Sequence, residues 1–149
     1  MNEILFYRPD EEYGFLSNFY LCRIVDKDNV FASAEHYFQW AKAVNDPQGR
    51  LAILNALTPT EAKRIGRNCV YDVDLWDSCK DCVMTAILYE KFSQNEDLGL
   101  KLMGTGNAQL VEAAPYDSYW GGTIPGSQNK LGEALEHVRN DLRASLVRL

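Results

Sequence analysis

Glu35, Gln39 and Lys42 stand three and four residues apart in SAEHYFQWAK, residues 33 to 42. On a helix that spacing places a carboxylate, an amide and an amine on one face. The adjoining face carries Ala34, Tyr37, Phe38 and Ala41, which suits packing on a core. On spacing alone, a solvated face with an incidental ion pair is the first reading. The aromatic border and the segments around it favour a concave site instead: GFLSNFY lies upstream, at residues 14 to 20, and DSYWGGTIPGSQNKLGE downstream, at 117 to 133.

The downstream loop contains Asp117, Tyr119, Trp120, Gly121, Gly122 and Asn129. Long loops with such content are more often functional than plain connections. Glycine lets the backbone approach a ligand, and Trp120 offers a flat surface to a base. A core plug with two turning glycines explains the same residues equally well. Upstream, a buried hairpin or an edge strand accounts for Phe15, Leu16, Phe19 and Tyr20, but neither calls for Asn18. Lys63, Arg64 and Arg67 cluster at a helix end, where cations complement the dipole and one can meet a phosphate. Arg8 and Arg23 are weaker candidates of the same kind. No G-x-G-x-x-G, P-loop or nucleophile elbow is present, and no Ser–His–Asp order. The chain offers separated carboxylates (Glu35, Glu112 and Asp117) beside aromatics. That equipment suits glycosidic cleavage, where an oxocarbenium-like transition state needs nearby negative charge and a base for water.

The elements that must position these groups can be read in outline. Residues 3 to 7 form a strand, and 21 to 25 with 30 to 33 form a hairpin around Asp26-Lys27-Asp28-Asn29. Ser33 caps the helix that carries Glu35. Asp46-Pro47 and Thr58-Pro59-Thr60-Glu61 each open a helix with a cap and an N1 proline, the second ending near Gly66. Asp74 is expected to cap a long helix over about 75 to 93, its wide apolar stripe predicting a mostly buried element. Asn95 opens another, closed by Gly104 as C′ residue. Residues 108 to 114 read as a strand and 115 to 128 as a loop. A last amphipathic helix from Asn129 turns Leu131, Leu135, Val138 and Leu142 inward. The fold class is α+β: a predominantly helical single domain over residues 1 to 149 with a small β-sheet.

Composition narrows the partners. The chain has 149 residues and a formal net charge of −6. That charge argues against broad nucleic-acid binding, which needs a basic footprint, but not against recognition of a nucleotide. No apolar run is long enough to span a membrane and the first residues lack a secretory pattern, so a cytoplasmic protein is expected. Cys22, Cys69, Cys79 and Cys82 read as reduced, mostly buried thiols. Cys79 and Cys82 form a C-x-x-C pair inside a helix, not in the loop a metal knuckle uses, so no metal site is expected.

The motifs taken together resemble the NADAR or YbiA-like family. The resemblance is carried by GFLSNFY, AEHYFQ, Leu75-Trp76-Asp77, VMTAILYEKFSQN, TGNAQLVEA, DSYWGG and NKLGEALEHVR in that order, from about residue 13 to 142. It implies an N-glycosidase that cuts ribose 5-phosphate from a base-like amine, such as an early riboflavin-pathway intermediate. It implies Glu35, Trp76 and Asp117 as the catalytic set, with Asn18, Gln39, Trp120, Gly121 and Asn129 shaping the pocket. Lys42 completes the polar stripe, and Lys63 or Arg67 is placed to hold phosphate. The family often has a glycine-rich stretch after the tryptophan turn, whereas here Gly122 is followed by Thr123-Ile124-Pro125. The expected mechanism is direct water attack at the anomeric carbon, with Glu35 or Asp117 orienting water. No cofactor is required, and the partner is a small ribosylated molecule. Two rivals are an ADP-ribosyl hydrolase acting on modified nucleobases and a non-catalytic module that binds NAD or ADP-ribose.

Overall fold

A computed structural model describes residues 2–147 of the chain. Strand β1 (Glu3–Phe6) leads to a 3₁₀ turn (Gly14–Leu16) and a hairpin, β2 (Leu21–Asp26) with β3 (Asn29–Ser33). Helices α1 (Ala34–Lys42), α2 (Pro47–Leu54), α3 (Pro59–Arg67), α4 (Val73–Gln94) and α5 (Glu96–Gly104) follow. Strand β4 (Gln109–Glu112), a loop and α6 (Lys130–Val147) complete the order. The fold is α+β and mostly helical, as expected. The strands form two two-stranded pieces, however, rather than one small sheet: β1 pairs parallel with β4, and β2 antiparallel with β3. Glu112 is opposite Phe6, so the first strand anchors the segment that leads into the downstream loop.

Caps explain where the helices around the site begin. The Ser33 hydroxyl accepts the His36 N–H at 3.1 Å. The His36 ring lies fully buried, with Nε2 3.0 Å from the Ala56 carbonyl and Nδ1 2.7 Å from Ser33 Oγ. A carbonyl only accepts, so Nε2 donates to it. Asp46 accepts from Gly49 N and Thr58 from Glu61 N, each one residue before its proline. The Glu61 carboxylate does not complete the capping box but pairs with Arg64.

Three boundary expectations need correction. Asp72, not Asp74, caps α4 by accepting the Leu75 N–H at 3.1 Å, and Asp74 lies in the first turn. Asn95 ends α4 and starts α5 without a side-chain cap; its amide donates to the Arg23 and Lys91 carbonyls. Gly104 is the last helical residue, and the left-handed backbone falls at Gly106, φ +68°. Helix α4 is also less buried than its stripe implied. Met84, Ile87, Leu88, Lys91 and Phe92 are buried, while Val73 and Leu75 in its first turn are exposed. Among the cysteines only Cys69 is buried; Cys82 is exposed, and all four are free thiols.

The main core joins Phe6, Phe15, Leu16, Ile24, Phe31 and Phe38 to the buried half of α4, to α5 and to the inner face of α6. Leu131, Leu135, Val138 and Leu142 all lie in it, as the final helix's periodicity predicts. Among the described residues no helix is long and apolar enough to cross a membrane.

Candidate active site

A cavity of about 490 Å³ opens between the 3₁₀ turn, α1, α3 and the loop after β4. Of the residues singled out from sequence, Asn18, Glu35, Gln39, Lys63, Asp117 and Trp120 line it, and so do Arg8 and Glu112. Five others stand back from the lining. Trp76 packs on Phe38, ring centroids 5.0 Å apart, and Phe38 forms the wall. Lys42 lies over the Tyr71 ring at 4.9 Å. Arg67 ends α3 on the exposed surface. Gly121 and Asn129 act behind the wall. Tyr7, Phe19, Met84 and Tyr116 also line the cavity, and sequence reasoning did not assign them there. Tyr7, Phe19 and Tyr116 adjoin Arg8, Asn18 and Asp117 in sequence, whereas Met84 carried no such signal.

Glu35 sits in the first turn of α1, and its N–H donates to the Asn18 carbonyl at 3.0 Å. This bond ties the helix start to the upstream turn. The Gln39 amide, one turn later, donates to Glu35 Oε1 at 2.9 Å. The spacing of the polar stripe is therefore real, but Glu35 and Gln39 are buried rather than solvated, and Lys42 is half-buried. Burial pushes the Glu35 carboxyl up; the Gln39 hydrogen bond, Lys63 and Lys42 oppose this, and Asp117 adds to it. Gln39 is held in place by α3, because a Cβ on Gly66 would lie 2.0 Å from Gln39 Oε1. Only glycine lets the two helices approach this closely.

Glu112 ends β4 and takes the Ala114 N–H at 3.0 Å. Burial pushes its carboxyl up to about 6, Asp117 adds to the rise, and the Ala114 N–H and Lys63 oppose it. Asp117 and Lys63 are thus charges felt by both Glu35 and Glu112. Asp117 also holds the loop together. Its Oδ1 accepts the N–H groups of Tyr119 at 3.0 Å and Trp120 at 2.8 Å, which closes the turn that presents Trp120. Trp120 then stands edge-on to Phe38, 5.5 Å between centroids at 88°, so Trp76, Phe38 and Trp120 form a continuous aromatic wall.

Two residues fix this loop from behind. Asn129, at φ +53°, donates to the Leu110 carbonyl and accepts the Glu112 N–H. Gly121 is required because a Cβ there would sit 2.7 Å from Glu112 Oε2. Of the basic groups, Arg64 is engaged by Glu61, while Lys63 and Arg8 are the two that reach the cavity. Two polar atoms at the site have no partner among the described residues: Asn18 Oδ1 and Gln39 Oε1, both buried.

The molecule is an α+β domain with an aromatic-walled cavity lined by three carboxylates and a lysine. The chain belongs to the NADAR domain family, whose model matches residues 5–143. It is 37% identical to a riboflavin biosynthesis protein of Vibrio vulnificus over 94% of this chain, but spans only 38% of that longer protein. An N-glycosidase of Nostoc punctiforme is 35% identical over 94% of this chain and 92% of its own length. The N-glycosidase YbiA of Escherichia coli is 36% identical over 93% of this chain and 88% of its own. The NMR structure of YbiA superposes with a TM-score of 0.88, covering 99% of this chain and 89% of that one at 32% identity.

Proposed function

We propose that this chain is an N-glycosidase that hydrolyses the bond between a phosphorylated ribose and a base-like amine, as in early riboflavin-pathway intermediates. The glycosidase class follows from the family and from relatives that match along nearly the whole chain. One observation carries the site assignment: Glu35 on α1, and Glu112 and Asp117 on the end of β4 and the loop after it, line one cavity of about 490 Å³ with Lys63 of α3. That volume lies in the lower half of the usual ligand-site range of roughly 300–1,000 Å³, which favours a small nucleoside-like substrate.

The carboxylates divide the work by environment. Glu35 is buried and its carboxyl is pushed up, which suits it to give a proton to the leaving nitrogen. Glu112, at about 6, is ionised at neutral pH and takes the proton of the attacking water. Asp117, whose charge raises both, faces the positive charge that develops on the ribose. The C1–N bond breaks, water oxygen bonds to C1, the nitrogen leaves with the proton of Glu35, and Glu112 holds the proton from water. Trp120 covers the base. Trp76 acts through Phe38 by keeping the wall upright, and Lys42 opposes the rise at Glu35. Arg8 and Lys63, both exposed and both in the cavity lining, replace Arg67 as the groups that meet phosphate.

A second reading is removal of ADP-ribose from a modified nucleobase. The rim favours it in one respect: Tyr116 lines the cavity yet is 97% exposed, and Tyr7, also in the lining, is 40% exposed, so the mouth can accept a longer diphosphate chain. The deciding experiment supplies a ribosylaminopyrimidine phosphate and ADP-ribosylated DNA separately and follows sugar release. Release from the first and not the second is expected; the reverse moves the assignment to the second reading, and release from neither overturns both.

A further inference from the structure

Lys91, on α4, is completely buried, yet none of the ion pairs among the described residues includes it. Its ammonium donates to the Phe15 carbonyl at 2.8 Å and to the Ser17 carbonyl at 3.0 Å. The Phe92 and Tyr20 rings lie 5.0 and 5.7 Å away, and the nearest titratable influence is the Cys22 thiol on β2. A lone buried ammonium is among the costlier groups a core can hold, and two carbonyls offset that cost only in part. A methionine of similar length would fill the space without the penalty. The charge therefore needs a purpose at the carbonyls themselves.

Those carbonyls belong to the turn that carries Asn18. Ser17 ends the 3₁₀ segment, and its carbonyl also receives the Tyr20 N–H. Asn18 comes next. Its carbonyl takes the Glu35 N–H, and its side chain lines the cavity with a buried Oδ1 that no protein group satisfies. Lys91 does not line the cavity and is not among the charges that shift Glu35 or Glu112. Any effect on the site must run through the backbone.

We propose that Lys91 is a positioning residue: by gripping the Phe15 and Ser17 carbonyls it sets the turn that aims Asn18 Oδ1 at a substrate N–H or O–H and fixes Glu35 through the Asn18 carbonyl. The proposal rests on the reading of this cavity as the site of sugar–nitrogen cleavage. Burial holds the ammonium down to about 8, so it remains charged at neutral pH and its two hydrogen bonds remain charge-assisted.

The test compares wild type with Lys91→Met and Lys91→Arg by amide hydrogen exchange and by turnover of a ribosylaminopyrimidine phosphate. In Lys91→Met the Glu35 amide is expected to lose protection by on the order of ten-fold, while Leu135 in α6 changes little. Turnover should fall by on the order of ten-fold or more in kcat with a smaller change in KM, because Glu35 is displaced. Lys91→Arg, which keeps the charge and the donors, should recover part of both. Unchanged Glu35 protection, or equal loss at Glu35 and Leu135, would overturn the proposal. If Lys91→Met does not fold, Lys91→Gln is read by the same two measurements. Should wild type itself release no sugar, the functional reading fails, and the exchange comparison still decides the role of Lys91.

Discussion

At the scale of single residues, the cavity separates groups that share a chemical type. Glu35→Gln keeps the volume and can still meet the Gln39 amide, but it has no proton to give. Turnover should be abolished with the melting temperature nearly unchanged, and steady-state rates beside thermal melts check it. Asp117→Asn retains an oxygen for the Tyr119 and Trp120 N–H groups, so the loop should persist while the rate falls by on the order of 10² to 10³. Trp120→Ala should weaken substrate binding by roughly 1 to 3 kcal/mol if the indole stacks on a base. Should activity in both variants simply follow the folded fraction, this loop is scaffold. Glu35, Asp117 and Trp120 were legible in sequence because a carboxylate at helical spacing and an aromatic glycine loop are local patterns. The position of Glu112 was not, because alternation along Leu110-Val111-Glu112 cannot say which face of a two-stranded ribbon meets a cavity. Nor was the retreat of Trp76 behind Phe38, which depends on how α4 crosses α1.

At the scale of elements, the site depends on how closely α3 lies against α1. Gly66 is where they touch, and its missing Cβ makes room for the Gln39 amide. Gly66→Ala should therefore displace Gln39, destabilise the fold by about 1–3 kcal/mol through overpacking and lower the rate by loosening Glu35. Adding Gln39→Ala should recover most of the stability and none of the activity. If the double variant is no more stable than Gly66→Ala alone, the contact at Gly66 is not the cause. The caps at Ser33, Asp46 and Thr58 could be read from sequence because each is a polar residue at a fixed offset from the helix it opens, the last two followed by proline. The start of α4 could not: Asp72 and Asp74 are both acceptable caps, and a β-branched Val73 between them looks like the end of an extended segment. The pairing of β1 with β4 was likewise invisible, since about two-thirds of the chain lies between them and parallel pairing leaves no hairpin signal.

At the scale of the whole molecule, the groups that arm the site oppose the stability of the fold, and pH should reveal it. Glu112 has a folded value of about 6 against an ordinary 4.5. The native state thus binds the proton more tightly, so this group stabilises the fold below pH 4.5 and that contribution is lost as pH rises through about 6. The full difference corresponds to roughly 2 kcal/mol, and partial exposure reduces it to about 1 kcal/mol. Lys91 runs the other way at higher pH: its folded value of about 8 lies below the ordinary 10.5, so stability rises as pH climbs from 8 toward 10.5. Between about pH 6 and 8 both groups are charged, and the enzyme carries the cost of each. The rate should rise with pH through about 6 as Glu112 loses its proton, over the same interval in which the fold loses stability. Glu112→Gln separates the two effects. Its pH–rate profile should lose the rise near 6 while its unfolding free energy, compared with wild type between pH 4.5 and 7, should lose about 1 kcal/mol of decline. A variant that keeps the rise would assign it to another group and remove Glu112 as the base for water. A variant with wild-type pH dependence of unfolding would mean that the Glu112 carboxyl is not held above its ordinary value in the folded protein.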